Sequence, residues 1–168
     1  MIQEVTYRVI GVIRSPFTEP KGTPIQPKAA EGVKGSVEVF PEFAEGLQDV
    51  GGFSHLILLY HFHLSKPGPL RAKPFMDTKK RGVFAMRGPR RPNPVGLSTV
   101  RLVKIEGTQL LVQDVDIVDG TPLLDIKPYV PAFDVHFADR IGWLTGHVQK
   151  LLESRDNGRF TDDTQSGV

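Results

Sequence analysis

The sequence predicts a mainly β domain, a compact barrel or sandwich carrying one or two short helices. Two observations lead there. Apolar residues fall in short segments that alternate with polar ones, the period of a strand with one buried face. Turns rich in glycine and proline separate those segments: the two residues number 17 and 14 among 168, and few stretches keep a helical period.

Val5–Ile13 opens the pattern, setting Val5, Tyr7 and Val9 against Thr6 and Arg8, and reads as the first strand. "SPFTEPKGTPIQPKAAEG" follows with four prolines, a long extended loop of the kind that carries function or disorder. Val33–Val39 alternates again, with Val33, Val37 and Val39 on one face. Pro41 then starts a short helical piece, "PEFAEGLQDVGG", with Phe43, Leu47 and Val50 on one side and glycines at its end. His55–His63 is apolar on both faces and is expected to be a central strand. Gly82–Met86 reads as a short strand after the loop "LSKPGPLRAKPFMDTKKR". Leu97–Glu106 and Gln109–Val118 form a hairpin around Gly107 and Thr108, and Leu123–Tyr129 is the last strand. Gly142–Leu152 carries helical spacing. Residues 1–153 make one domain, and 154–168 a polar, flexible tail.

Composition narrows the function classes. The run "LILLY" is far shorter than the roughly 20 residues a bilayer-spanning helix needs. The amino terminus alternates and carries Glu4, unlike a signal or transit peptide, so a cytoplasmic location is expected. With no cysteine, disulfides and thiolate metal sites are excluded. The net charge is only +2. Yet eleven basic residues lie between Lys66 and Lys104 against a single acid, Asp77, so the rest of the chain is acidic. A basic block of this kind suits an anionic partner, although a solvated surface loop would look the same.

Within that block stands "RGVFAMRGPRRPNPVGLS", Arg81–Ser98. Pro89, Pro92 and Pro94 fix φ and remove donors, so the turn is stiff without being helix or sheet. Asn93 is held extended between two of them. Arginine offers planar donors that match phosphate or carboxylate, so Arg87, Arg90 and Arg91 on a rigid turn form a preorganised anion site. The nucleotide-loop patterns GxGxxG and GxxxxGK[ST] are absent. His55, His61 and His63 share strand parity with Ile57 and Leu59, but the glutamate that would complete an H-x-H metal motif is missing. No metal is expected; hydrogen-bonded strand histidines, or one histidine as a proton acceptor, explain them better. Asp114, Asp116, Asp119 and Asp125 crowd the segment around "VDGTP", an ordinary β-turn sequence that could also meet a ribose hydroxyl or a cationic ligand group.

Taken together, "VIGVIRSPF", "FSHLILLYHFH", "GVFAMRGPRRPNPVGLS" and "DIVDGTPLLDIKPYVP" occur in an order that resembles the TsaA-like family, whose characterised members are the TrmO tRNA methyltransferases. The resemblance covers about three quarters of the chain. It implies a compact β-barrel that binds S-adenosyl-L-methionine without a Rossmann domain and works as a homodimer. The reaction it implies methylates N6 of threonylcarbamoyladenosine at position 37, in the tRNA anticodon arm. Carried over, the cofactor contacts fall on Pro24, Ile25, Gln26, His63, Leu64, Arg87, Leu97, Asp119, Gly120, Thr121 and Pro122. Where the family more usually reads PRQ and HQ, this sequence reads PIQ and HL, so two polar side chains are lost. The longer bacterial enzymes also carry a further C-terminal domain.

On that reading Arg87 pairs with the cofactor's carboxylate and the "DGTP" backbone reads its adenine. The acceptor nitrogen is a poor nucleophile, because a carbamoyl group withdraws its lone pair, so a general base is expected, His63 first and Asp119 second. Lys79, Lys80, Arg90 and Arg91 are expected to contact RNA phosphates. Three alternatives stay open: a methyltransferase with another small-molecule or nucleic-acid acceptor, a non-catalytic RNA-binding barrel, and a cupin-like metal protein.

Overall fold

Six antiparallel strands close on one another in the computed structural model, which describes residues 3–148, 150 and 154–158. In chain order the strands are β1 (Gly11–Arg14), β2 (Lys34–Val39), β3 (His55–His61), β4 (Arg71–Ala72), β5 (Arg81–Gly82), β6 (Val95–Glu106), β7 (Gln109–Gln113) and β8 (Thr121–Pro128). The barrel runs β1-β2-β7-β6-β3-β8 and returns to β1, while β4 and β5 form a separate two-stranded ribbon. Closure leaves the barrel strands no free edge, and the expected mainly β fold takes its barrel form.

Alternation decides what points inward. On β3, Leu56, Leu58 and Tyr60 are buried, and the residues between them are half-buried on the outer face. They pair with Val100, Ser98 and Gly96 of β6 respectively, all three also buried. Ile13, Val37, Leu110, Val112, Val115, Ile117 and Leu123 complete the interior. Two successive 3-10 helices, Pro41–Leu47 and Val50–Gly52, lay Phe43, Leu47 and Val50 against this core, as their spacing predicts.

Several boundaries differ from the sequence reading, each for a physical reason. Only the end of Val5–Ile13 joins the sheet. Val5 and Tyr7 remain 64% and 70% exposed, so the alternation there marks an apolar face that nothing in the described chain covers. β1 begins at Gly11, where a Cβ would lie 2.3 Å from the Glu38 carbonyl oxygen; a glycine lets the two backbones approach. Gly82–Met86 is the end of β5 followed by a 3-10 turn at Val83–Ala85, not a strand of its own. The partner of β6 stops at Gln113, because Asp114 takes a left-handed φ of 68° and turns the chain out of register. A helical turn at Pro131–Asp134 has no counterpart in the sequence pattern; its start is bonded from the Val130 N–H to Asp134 Oδ2 (2.6 Å). Of Gly142–Leu152, residues Gly142–Leu144 form a 3-10 turn, and 149 and 151–152 lie outside the described residues. Of the tail at 154–168, residues 154–158 are described, and Arg155 bridges to Pro24 beside paired Gly22, Thr23 and Asp156 backbones.

Candidate active site

One end of the barrel opens into a cavity of about 410 Å³, within the range of small-ligand sites. Four pieces of chain remote in sequence meet there. The proline-rich loop contributes Pro24, Ile25 and Gln26, and the exit of β3 contributes Tyr60, Phe62, His63 and Leu64. Phe84, Met86, Arg87, Arg91, Gly96 and Leu97 come from the proline-arginine turn and the start of β6, and Asp116, Ile117, Val118 and Thr121 from the segment before β8 and its first residue. Most of this lining is apolar. Arg87 Nη1 donates to Gln26 Oε1 (3.2 Å), joining two loops that the sequence keeps far apart.

The turn is braced from inside. Arg91 Nη1 donates to the carbonyls of Met86 (3.0 Å) and Gly88 (3.3 Å). Arg90 is only 8% exposed, and its side chain packs so close to Gly68 that a Cβ there would meet Cδ at 2.9 Å. The expectation that Arg90 and Arg91 face RNA phosphates therefore meets two side chains turned to structural work, whereas Lys79 and Lys80 are exposed. Arg81 holds Asp77 through Nε (2.9 Å) and Nη2 (2.6 Å) and lies over the Trp143 ring. Trp143 in turn donates to the Ala85 carbonyl (2.6 Å). A second cavity of about 470 Å³ adjoins the first, sharing Ile25, Gln26, Phe84 and Arg87 and walled by Trp143 and Leu144.

Of the residues assigned to the cofactor, Pro24, Ile25, Gln26, His63, Leu64, Arg87, Leu97 and Thr121 line the first cavity; Asp119, Gly120 and Pro122 do not. Asp119 accepts from the Ser15 N–H (3.1 Å) and lies 3.8 Å from Arg14, on the outer side of the wall. Gly120 supplies a left-handed turn, φ 75°, and Pro122 sits in β8 opposite Val12. His63 lies past the end of β3 at the cavity rim. Burial, followed by the neighbouring His61, holds its pKa below the usual histidine value, so near neutrality it is an uncharged ring. His55 bonds to Ser54 at the opposite end of β3, and the three histidines do not converge. Among the described residues no three His, Cys, Asp or Glu side chains cluster to hold a metal.

One group the sequence reading named only as part of an acidic cluster stands out. Asp116 Oδ1 accepts from Ser98 Oγ (2.6 Å), whose oxygen is 2.9 Å from the Tyr60 hydroxyl. Since the serine proton is committed to Asp116, Tyr60 donates to Ser98. Although Asp116 is half-buried as a residue, its carboxyl sits deep. Burial pushes its pKa up to about 7, against the opposing pull of Ser98 and its own backbone N–H. Burial, then the nearby Asp116 charge, drives the Tyr60 phenol well above its ordinary range, so Tyr60 keeps its proton.

The sequence profile of the tRNA-methyltransferase O N-terminal domain family matches residues 12–135, which span the barrel from β1 to the turn after β8. The chain belongs to that family. It is 60% identical over 156 residues to a protein of Pyrococcus abyssi described as a probable S-adenosyl-L-methionine-binding protein, covering 93% of this chain and 85% of that one. It is 36% identical over 132 residues to the tRNA (adenine(37)-N6)-methyltransferase of Mus musculus, covering 74% of this chain but 31% of the mouse protein. The crystal structure of TrmO from Pseudomonas aeruginosa superimposes with a TM-score of 0.70 at 38% identity, over 84% of this chain and 63% of that one. The chain thus spans most of its archaeal relative and about a third of the mouse enzyme.

Proposed function

We propose that this protein is an S-adenosyl-L-methionine-dependent methyltransferase acting on N6 of threonylcarbamoyladenosine at position 37 of tRNA. The observation that carries the reading is the cavity itself. In a chain of the tRNA-methyltransferase O family, it gathers the "PIQ" loop, His63, Leu64, Arg87, Leu97 and Thr121 around a largely apolar space.

The cavity suits that cofactor in size and chemistry. Arg87, tied to Gln26, offers a planar cation to a carboxylate. Ile25, Leu64, Leu97 and Met86 offer apolar surface. When bound, the cofactor supplies a methyl group on a sulfonium centre. The chain's own part is to align the acceptor and exclude water, and an apolar wall favours a step in which charge disperses.

The adjoining cavity is assigned to the RNA side. Phe84, 78% exposed at the shared rim, gives a flat face on which an unstacked base can lie. Lys79 and Lys80, both exposed ahead of β5, are assigned to phosphate contact. Phe133, Val135 and Phe137 are exposed, the last completely, and these side chains, with Val5 and Tyr7, are assigned to a homodimer contact. A dimer mass in light scattering that falls to a monomer in Phe137→Asp supports that assignment; a wild-type monomer refutes it. No described helix is long and apolar enough to cross a membrane, and a tRNA substrate fits the cytoplasmic location assigned to the enzyme.

Calorimetric titration with S-adenosyl-L-methionine, alone and with threonylcarbamoylated tRNA, tests the reading, followed by mass spectrometry of the nucleosides. Binding of both with a mass gain of one methyl group on the modified adenosine is expected. Cofactor binding without tRNA methylation moves the acceptor elsewhere, and absence of cofactor binding overturns the proposal.

A further inference from the structure

Tyr60, Ser98 and Asp116 form a polar chain that ends at a cavity otherwise built to be dry. Burying a carboxyl without a cation is costly, and no ion pair joins Asp116 to any described residue. The titratable groups that share the cavity are Tyr60 from β3, His63 from the loop beyond it, Arg87 and Arg91 from the proline-arginine turn, and Asp156. None of them serves as its counter-charge. A fold that needed only a filled core would place an apolar residue at 116, as it does at Val115 and Ile117. Hydrogen-bond donors aimed at the carboxyl, in a cavity that desolvates it, are what a proton acceptor working near neutral pH requires.

We propose that Asp116 is the proton acceptor of the methyl transfer, positioned by Ser98 and Tyr60. The inference rests on the methyltransferase reading above and replaces the expected assignment of that role to His63 or Asp119. The step balances as follows. The acceptor nitrogen forms a bond to the methyl carbon with its electron pair while the carbon–sulfur bond breaks toward sulfur. The neutral thioether leaves, and the N–H proton passes to the Asp116 carboxylate. Ser98 donates to that carboxylate and Tyr60 to Ser98, so the chain favours the ionised form and fixes its orientation without surrendering protons of its own. His63, at the rim, remains a contact for the bound ligands.

The test compares wild type, Asp116→Asn and Ser98→Ala. Calorimetry gives the S-adenosyl-L-methionine affinity, and single-turnover methylation of threonylcarbamoylated tRNA is followed from pH 5.5 to 9. Asp116→Asn is expected to bind the cofactor within about threefold of wild type and to transfer methyl about 10²–10⁴-fold more slowly, the span of general base catalysis. The wild-type rate is expected to rise with pH to a plateau through an inflection near neutrality, which the variant lacks. Ser98→Ala keeps the carboxyl but loses a donor that stabilises its charge, so its inflection moves to higher pH, a change that mere loosening of the core does not produce. If Asp116→Asn transfers at the wild-type rate with the same pH profile, Asp116 is not the acceptor, while the methyltransferase reading stands. Equal losses of affinity and rate make Asp116 a cofactor contact and overturn the proposal. If wild type neither binds the cofactor nor methylates, the functional reading itself fails and takes this inference with it.

Discussion

Replacing Asp116 with Asn is expected to stabilise the protein above neutral pH while disabling it. The magnitude follows from linkage. Unfolded, the carboxyl loses its proton near its ordinary value of 3.8; folded, it holds the proton to about 7. Between those values the folded state binds more protons than the unfolded state, so stability falls as pH rises through the window and levels off above it. At ~1.4 kcal/mol per pH unit, the gap costs the fold about 4 kcal/mol at pH 8. Asn keeps the shape and hydrogen-bonding capacity of the neutral acid and has nothing to ionise.

The two proteins are therefore expected to have similar stability below about pH 4, to diverge from there to about pH 7, and to keep the full gap at pH 8. For a chain of this size, about 4 kcal/mol corresponds to a Tm difference of ~8–16 °C. Scanning calorimetry at half-unit pH steps measures it, and subtracting one curve from the other cancels every other titrating group. A difference that stays flat from pH 4 to 8 refutes the reasoning: Asp116 would then ionise alike folded and unfolded, and the case for a desolvated acceptor would lose its energetic support.

Gly96→Ala tests the packing behind the same site. A Cβ at Gly96 would lie 2.2 and 2.4 Å from Tyr60 ring carbons, where ordinary contact begins near 3.4 Å, so overpacking is expected to cost ~1–3 kcal/mol. Gly46→Ala, with open space around it, serves as the control, and equal Tm values for the two variants would contradict the clash. Replacing Lys79 and Lys80 together by Ala is expected to weaken tRNA binding and reduce the slope of log affinity against log salt by about 1.4 if both meet phosphates; an unchanged slope removes them from the interface. Phe84→Ala is expected to weaken tRNA binding by ~1–3 kcal/mol through lost stacking while leaving S-adenosyl-L-methionine affinity within about twofold, and equal loss of both would place the ring in the cofactor site instead.

What could be read from the sequence followed from periodicity and rigid motifs. The apolar run of His55–His63 reads as a central strand, and β3 occupies its His55–His61 part, with Leu56, Leu58 and Tyr60 turned inward. The proline-arginine turn announces its stiffness through Pro89, Pro92 and Pro94, and Arg87 and Leu97 meet the "PIQ" loop in the cavity. Val5 and Tyr7 misled, because alternation reports an apolar face without saying what covers it. Arg90 reads as surface because its charge is local information, whereas its burial against Gly68 depends on a loop 22 residues earlier. The acid at 116 could be seen only as one of four. Asp114 bonds to the Gly32 N–H, Asp119 to Ser15 and Asp125 to Lys127. Only closure of the barrel turns Asp116 toward Ser98.

The position of that carboxyl follows from how the barrel is layered. From one pair to the next along β3 and β6, the inward residues run Leu56 with Val100, Leu58 with Ser98, and Tyr60 with Gly96. The first rung is wholly apolar, the second carries one hydroxyl, and the third sets a phenol against a residue with no side chain. Along these rungs polarity thus enters toward the end that opens into the cavity, and in an order that lets each donor reach the next acceptor. Gly96 is the condition for it, since any Cβ would occupy the space of the Tyr60 ring and break the alignment with Ser98. A carboxyl on a flexible loop could not be desolvated and aimed together. Asp116 itself lies between β7 and β8, yet its carboxyl is bonded to Ser98 of the second rung, so the register that fixes the core also fixes the donor that aims it.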